Sequence, residues 1–348
     1  MGWNAMDIIF DERHRRHAGR VELGVGELVP CFEKPERAEF VLDAVRRTRL
    51  GAIEPPDAYG LEPLKRVHSE PYLDFLRTAW SEWKALVGDK DALPMTSPVR
   101  HFSDRVPTSI VGRLGYYSFD VSASITEGTW EAATAAADCT LTALARIRAG
   151  ARGAFALVRP PGHHAASDLY GGYCYLNNAA IAAQHFVDET HERVAILDVD
   201  YHHGNGTQSI FYDRSDVLYL SLHGDPNQEF PFYLGHAEER GEGAGQGANR
   251  NFPMAWGTPA ERWFEALEEA CREIEAFAPG VVIVSLGVDT YKDDPISQFL
   301  LESDDYPRLG ERIARLGRPT LFVLEGGYAV EEIGVNVANV LGSFDASR

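Results

Sequence analysis

The chain has 348 residues, of which 45% are hydrophobic, so it can bury a large core in one large α/β domain or in two domains. Its formal net charge of −19 argues against nucleic acid as a partner and suits either a small cationic substrate or simply a well-solvated surface. Residues Met1–Asp11 lack the long apolar region typical of a signal peptide, and the sequence has no apolar run of about 18 residues and no Cys-x-x-Cys pair. We therefore expect a cytoplasmic protein with free thiols and no membrane partner.

Apolar runs of strand length recur along the chain, and alanine-rich or amphipathic segments of helical length separate them. The predicted strands are Ala154–Val158, Val194–Val199, Val217–Leu222, Val281–Leu286 and Thr320–Leu324. The predicted helices among them are Trp130–Ala149, Asn178–Asp188 and Ala260–Ala278. Because strands and helices alternate, the pattern indicates βαβ units and a largely parallel sheet with both faces covered.

The segment Leu86–Tyr117 has a different character. It follows a predicted tryptophan-bearing helix around Leu73–Trp83 and is rich in proline, serine and charged residues without a clear period. This composition predicts a long ordered loop, and loops of this length are usually functional or disordered. Since no repeat or linker accompanies it, we predict one domain over residues 1–348 with an insertion at about 86–117.

Polar residues of catalytic type follow each of the five predicted strands. The clusters are Arg159–His164, Asp200–His203, Ser221–Asp225, Gly287–Thr290 and Glu325–Tyr328. In open parallel sheets, ligands bind outside the carboxyl ends of the strands. The sequence therefore predicts that these five strand ends converge on one site.

The second cluster predicts a metal centre. Asp198, Asp200 and His202 alternate, so an extended strand would direct all three side chains to one face. Adjacent carboxylates in an apolar stretch are costly to bury without a cation, a proton or hydrogen bonds, and a divalent metal is the simplest explanation. We predict Asp200 and His202 as ligands, Asp289 as the third, and Asp198 as a support that orients an imidazole or holds another cation. This ligand set suits zinc and also permits Fe(II), Mn or Co.

Two tandem histidine pairs stand at strand ends, which a structural role explains poorly. A metal can lower the pKa of water to about 7, so a neutral imidazole is a competent base for it. We predict His164 as the general base and later the general acid to the leaving amine, with His163 giving orientation and electrostatic support. Asp198 and Asn205 are candidates to fix the tautomers of the two imidazoles.

Tyr328 follows two glycines, which let the backbone turn sharply and bring the phenol close to the metal. There it can donate a hydrogen bond to a developing oxyanion, although a tyrosine in a tight turn is the alternative. The sequence contains no G-x-S-x-G, H-E-x-x-H or P-loop motif. A water molecule activated by a metal is therefore the predicted nucleophile.

The clusters together resemble the zinc-dependent histone deacetylase superfamily. The segments that carry the resemblance are Arg159–Ala165, Gly171–Asn178, Leu197–Gly206, Ser221–His223, Gly287–Asp289 and Glu325–Tyr328. Three further segments, Leu286–Ser297, Tyr116–Tyr117 and Gly334–Leu341, are similar to the bacterial acetylpolyamine amidohydrolases in particular. The resemblance covers nearly the whole chain.

The resemblance implies a single-domain arginase-deacetylase α/β fold, with a central, mostly parallel sheet flanked by helices and the site at the carboxyl ends of its strands. It implies Zn²⁺ bound by Asp200, His202 and Asp289, with Fe²⁺ or Co²⁺ as substitutes. The catalytic residues that it implies are His163, His164 and Tyr328.

The resemblance also implies features around the metal. Tyr173 and Phe230 match the aromatic walls of the family's substrate tunnel. The 86–117 insertion is expected to form a homodimer contact and to narrow the tunnel. A structural K⁺ site is expected at Asp198, Asp200, His202, Ser221 and Leu222.

We expect deacetylation of small N-acetylated amines. Some family members carry glutamates in and just after the insertion that meet the ammonium groups of the substrate, whereas Val111 and Ser122 occupy the matching positions here. This departure favours short acetylated diamines, such as acetylputrescine or acetylcadaverine, over long polyamines. The alternatives are acetyl-lysine in proteins or peptides as the substrate, and a non-catalytic binder of acetylated amines.

Overall fold

The computed structural model describes residues 6–24, 26–96 and 103–347. The strands in these ranges are β1 (Asp7–Phe10), β2 (Val21–Gly24), β3 (Glu27–Pro30), β4 (Ile53–Glu54), β5 (Gly153–Leu157), β6 (Val194–Asp198), β7 (Val217–Gly224), β8 (Asn249–Met254), β9 (Val281–Leu286) and β10 (Thr320–Leu324). The α-helices are α1 (Glu36–Thr48), α2 (Glu62–Lys65), α3 (Glu70–Val87), α4 (Ile110–Tyr116), α5 (Thr129–Arg148), α6 (Asn178–Thr190), α7 (Asn205–Phe211), α8 (Ala260–Phe277), α9 (Tyr306–Ala314) and α10 (Val330–Ser347).

A parallel sheet of eight strands forms the centre of the molecule, in the order β4–β1–β5–β10–β9–β6–β7–β8. Strands β2 and β3 form a separate antiparallel hairpin. Every residue of β5, β6, β9 and β10 is buried, which requires cover on both faces of the sheet because successive side chains point to opposite sides. The predicted α/β fold with a central parallel sheet is confirmed, and all five predicted strands are present.

Two local predictions were wrong. Strand β6 ends at Asp198, so Asp200 and His202 lie beyond it and do not alternate on one strand face. The predicted loop Leu86–Tyr117 begins inside α3 and ends with the short helix α4, where Ile110 and Leu114 are buried one turn apart. The seven residues of α4 are too few to show a helical periodicity of apolar residues in a segment rich in prolines and charged residues. Residues 97–102 of the insertion lie outside the described residues.

The structure also bears on the cysteines and on whether a helix could span a membrane. All four cysteines are free, and Cys139, Cys174 and Cys271 are buried. Within residues 6–24, 26–96 and 103–347, no helix is both long enough and apolar enough to cross a bilayer. The assignment of the whole chain to one domain stays a prediction.

Candidate active site

The four central strands of the sheet bring the predicted residues together. Strand β10 pairs with β5 and β9, and β9 pairs with β6, so their carboxyl ends lie side by side. The segments that follow β5, β6, β9 and β10 carry His163 and His164, Asp200 and His202, Asp289, and Tyr328 respectively. The convergence therefore follows from parallel pairing of adjacent strands.

Asp200, His202 and Asp289 are buried and offer ligand atoms that all lie within 4.8 Å of one another. His202 Nδ1 is 3.1 Å from Asp289 Oδ2 and 3.5 Å from Asp200 Oδ1. Burial and the neighbouring charge of Asp200 raise the pKa of Asp289 to about 7. A divalent cation would relieve this repulsion, and two carboxylates with one imidazole are suitable ligands for it. The three residues therefore fit a bound metal ion.

The backbone after β10 approaches the two carboxylates closely. The Gly326 N–H donates to Asp200 Oδ2 at 2.7 Å, and the Tyr201 N–H donates to Asp289 Oδ1 at 2.8 Å. A Cβ atom on Gly326 would lie 2.5 Å from Asp289 Oδ2 and 2.6 Å from Asp200 Oδ2. Only glycine allows this approach, so Gly326 is required for the close packing of the backbone against the two carboxylates.

His163 contacts a carboxylate. Its Nδ1 lies 3.0 Å from Asp198 Oδ2, which also accepts a hydrogen bond from the Tyr219 hydroxyl at 2.9 Å. Burial would lower the pKa of His163, but the carboxylates of Asp200 and Asp198 raise it to about 10. A metal ion bound by Asp200 would offset part of that increase. His163 is thus suited to electrostatic support, as predicted for it.

His164 contacts a neutral amide instead. Its Nδ1 lies 2.7 Å from Asn205 Oδ1, which can only accept, so Nδ1 carries the proton and Nε2 has a free lone pair. Burial, together with the charges of His163 and His202, holds the pKa of His164 well below its usual range. The neutral imidazole lines the cavity described below and is able to accept a proton there.

Tyr328 is buried, and its backbone and ring both have defined partners. Its N–H donates to Asp294 Oδ2 at 2.6 Å, and the guanidinium of Arg37 lies over its ring, 4.6 Å from the centroid. Arg37 Nε also donates to the Gly327 carbonyl at 2.6 Å. These contacts hold the phenol at the cavity that His164 and His202 also line.

A cavity of about 200 Å³ connects these groups with solvent. The predicted tunnel residues both line it: the Tyr173 ring lies 5.6 Å from that of Tyr328, and the Phe230 ring lies 5.0 Å from that of His164. The complete lining is Glu22, Leu23, Ser122, His164, Gly172, Tyr173, His202, Glu229, Phe230, Ile296 and Tyr328. The cavity is therefore small, and its lining is rich in aromatic rings and includes two carboxylates.

A model of the histone deacetylase domain matches residues 31–344. The chain belongs to the histone deacetylase family. It is similar to acetylpolyamine amidohydrolase 2 of Pseudomonas aeruginosa, with 56% identity over 98% of this chain and 99% of that protein. The acetylpolyamine amidohydrolase of Mycoplana ramosa is 51% identical over 97% of this chain and 98% of its own. The predicted resemblance is thus confirmed.

A solved structure agrees with the sequence relatives. The crystal structure of acetylpolyamine aminohydrolase from Burkholderia pseudomallei superimposes with a TM-score of 0.94 at 41% identity and covers 99% of this chain and 100% of that one. The protein is accordingly a hydrolase of amide bonds, and family membership implies a metal ion at its centre.

Several residues of this deacetylase that shape the site were not predicted individually. Arg37 reaches Tyr328 from α1, and Glu22 reaches the cavity from the β2–β3 hairpin. Glu325 belongs to a predicted cluster, but no role was predicted for it. Its Oε2 accepts hydrogen bonds from the N–H groups of Gly162, at 2.7 Å, and His163, at 3.1 Å. Glu325 therefore holds the backbone of Gly162 and His163 against the end of β10. Its position directly after a predicted strand was the only sequence feature that pointed to the site.

The Gly172–Tyr173 turn of the deacetylase has an unusual conformation. Gly172 and Tyr173 have φ angles of +53° and +65°, and a Cβ on Gly172 would lie 2.3 Å from His164 Cδ2. The Gly172 N–H donates to Asp120 Oδ2 at 2.6 Å. Asp120 therefore stabilises the turn that places the Tyr173 ring at the cavity, a role the sequence did not reveal.

The two positions that depart from the family pattern have different surroundings. Ser122 lines the cavity, whereas Val111 lies in α4 and packs against the hydrophobic core. The residues of the predicted K⁺ site are adjacent, since Asp198 pairs in register with Ser221 and Leu222 follows it. No ion identity follows from that arrangement, and the K⁺ site stays a prediction.

Proposed function

We propose that the protein is a Zn²⁺-dependent deacetylase of small N-acetylated amines that releases acetate and the free amine. The observation that carries this proposal is the small cavity, which His164, Tyr328 and the metal-site residue His202 line together with aromatic rings and carboxylates. Relatives at 43–56% identity bear the name acetylpolyamine amidohydrolase, which supports a cationic amine as the substrate.

The chemistry divides among this chain's own residues. Asp200, His202 and Asp289 would hold the ion, which when bound supplies Lewis-acid polarisation of the acetamide carbonyl and of water. Neutral His164 accepts the proton of the attacking water and returns it to the leaving nitrogen. The His163–Asp198 pair stabilises the charge that develops in the reaction. The Tyr328 hydroxyl donates a hydrogen bond to the substrate oxygen on which negative charge develops.

The cavity chemistry favours a thin aliphatic amine. The rings of Tyr173 and Phe230 suit an alkyl chain. The carboxylate of Glu22 accepts hydrogen bonds from the Tyr173 hydroxyl at 2.9 Å and the Phe32 N–H at 3.2 Å, and it lines the cavity. It is positioned to neutralise the ammonium group of an acetylated diamine such as acetylputrescine or acetylcadaverine, which the net charge of −19 would also attract.

The proposal includes three features that rest on family resemblance. They are a structural K⁺ ion near Asp198 and Ser221, a homodimer formed through the 86–117 insertion, and a cytoplasmic location. Fe²⁺ or Co²⁺ are substitutes for Zn²⁺ at the same three ligands.

The decisive experiment compares acetylputrescine, acetylcadaverine and an acetyl-lysine peptide as substrates. We expect kcat/KM to be highest for the acetylated diamines, activity to disappear when a chelator removes the metal, and Zn²⁺ to restore it. Metal content measured by mass spectrometry controls for the loading. Faster hydrolysis of the peptide would favour protein deacetylation, and no hydrolysis by the zinc-loaded protein would favour a non-catalytic binder.

A further inference from the structure

The cavity contains a second carboxylate that the proposed chemistry does not use. Glu229 lines the cavity beside Phe230, in the segment between β7 and β8. Its Oε2 accepts hydrogen bonds from the Tyr201 hydroxyl at 2.7 Å and from Trp256 Nε1 at 3.0 Å. In the part of the chain that the structure describes, no lysine or arginine forms an ion pair with Glu229. Neutral groups therefore orient this carboxylate and leave its charge uncompensated.

The orientation of Glu229 is coupled to the metal centre. Tyr201 is buried, and its ring lies 4.9 Å from the His202 ring and 4.6 Å from the Phe299 ring. An ionised carboxylate has about four lone-pair positions, and the hydroxyl, the indole and the Phe230 N–H at 3.1 Å occupy three of them. Glu229 thus has a fixed direction and remaining capacity for a donor.

Glu22, on another part of the cavity lining, is held by a tyrosine hydroxyl in the same way as Glu229. Its carboxylate accepts from the hydroxyl of Tyr173, whose ring packs against Tyr328, just as Glu229 accepts from Tyr201, whose ring packs against His202. Each carboxylate is therefore held by a tyrosine that contacts a functional side chain. An acetylated diamine carries one ammonium group, which leaves one of the two carboxylates without a cation.

We propose that Glu229 binds a second ammonium group of the substrate and so determines specificity for N-acetylated triamines. This inference rests on the proposed function. An acetylated triamine presents two cationic nitrogens beyond the acetamide, which matches the two oriented carboxylates. The uncharged residues at Val111 and Ser122 therefore do not restrict the protein to diamines, because Glu229 supplies a carboxylate from a different segment.

The test uses three substrates that share a four-carbon chain on the acetamide nitrogen. N-butylacetamide has no cation, acetylputrescine has one, and spermidine acetylated at its four-carbon end has the same first cation plus a second. We expect Glu229→Gln to lower the ratio of kcat/KM for the acetylated triamine to that for acetylputrescine about tenfold, mainly through KM. Glu238→Gln, which removes the same charge from an exposed position, should leave the ratio unchanged.

The outcomes separate the inference from the proposed function. A ratio that stays constant in Glu229→Gln overturns the inference, whether the separate rates fall together or not at all. If the wild-type protein hydrolyses none of the three substrates, the proposed function fails. Calorimetric titration with spermidine and putrescine then decides the inference: a loss of affinity confined to spermidine in Glu229→Gln supports it, and equal affinities in both proteins overturn it.

Discussion

The acceptor that each imidazole contacts gives the two adjacent histidines different properties. His163 faces the carboxylate of Asp198, which favours its charged form, whereas His164 faces the amide of Asn205, which adds no charge. Their ring centroids are only 4.0 Å apart, so a charge on His163 also disfavours a proton on His164. A neutral His164 beside a charged His163 suits the proposed role of His164 as the general base.

Tyr328→Phe should lower kcat for acetylputrescine by about 10²–10³-fold and change KM little, because the proposed role of the phenol is to donate a hydrogen bond where charge develops in the transition state. The guanidinium of Arg37 can lie over a phenylalanine ring as it does over tyrosine, so the fold should persist. Steady-state kinetics would measure the effect, with zinc content and melting temperature as controls. An unchanged kcat would instead favour the structural role of a tyrosine in a tight turn.

Strand order alone predicts residues that follow a buried strand. Tyr173 and Phe230 were predicted only through the family resemblance, and Glu22 and Arg37 were not predicted. His164, Asp200 and Asp289 could be found because parallel strands place their carboxyl ends together. Glu22 and Arg37 could not, because a hairpin and the helix α1 bring them to the cavity only through tertiary packing. No local sequence pattern distinguishes Glu22 and Arg37 from charged residues that lie on the surface.

At the level of secondary structure, the metal-site residues lie on irregular backbone after the strands rather than on the strands themselves. The alternation of Asp198, Asp200 and His202 predicted one face of a strand, but β6 stops at Asp198 and the next residues turn toward β9 and β10. A glycine after β9 leaves room for the Asp200 carboxylate: a Cβ on Gly287 would lie 2.1 Å from Asp200 Oδ2. The metal centre thus depends on glycines that a pattern of ligands alone does not reveal.

Gly326→Ala should weaken zinc binding by about tenfold or more, because its new methyl group would displace the carboxylates of Asp200 and Asp289. Competition titration with a chromophoric chelator would measure the affinity. Gly342→Ala is the matched control: it lies in α10, its Cβ would meet only Leu50 Cδ2 at 3.5 Å, and it should keep zinc and gain up to about 1 kcal/mol of stability. Equal zinc affinities in the two variants would contradict the assignment of Gly326.

At the scale of the whole molecule, the predicted central sheet is correct, but it is wider than the five predicted strands. Strands β1 and β4 have only four and two residues, which is too short for a period-2 signal. Strand β8 contains Asn249, Arg250 and Asn251, polar residues that rarely indicate a strand. These strands lie toward the edges of the sheet, where pairing with a formed neighbour decides the structure rather than local sequence.

Buried histidines connect the stability of the whole fold with pH. Burial lowers the pKa values of His14, His17, His68 and His223 to about 4. An unfolded histidine has a pKa of about 6.5. In acid, each of these side chains takes up a proton more readily in the unfolded chain than in the folded one, which favours unfolding.

His68 provides the clearest case, because its hydrogen bonds require a neutral ring. Its Nδ1–H donates to the Ala166 carbonyl and its Nε2 accepts the Asn177 N–H, both at 3.0 Å. Above pH 6.5 neither state binds a proton there and the contribution of His68 to stability is intact. As the pH falls from 6.5 to 4, only the unfolded state gains the proton, so we expect a loss of up to about 3 kcal/mol from this residue, with no further loss below pH 4.

Urea unfolding of the wild-type protein and of His68→Gln at pH 7, 5.5 and 4 would measure this contribution. Glutamine can donate and accept but does not titrate, so the variant should be less stable at pH 7 and lose less free energy of unfolding between pH 6.5 and 4. His236→Gln, which replaces a partly exposed histidine, serves as the control and should follow the wild-type slope. Identical slopes for wild type and His68→Gln would show that the ring takes up a proton as readily in the folded protein as in the unfolded chain, contrary to its hydrogen bonds.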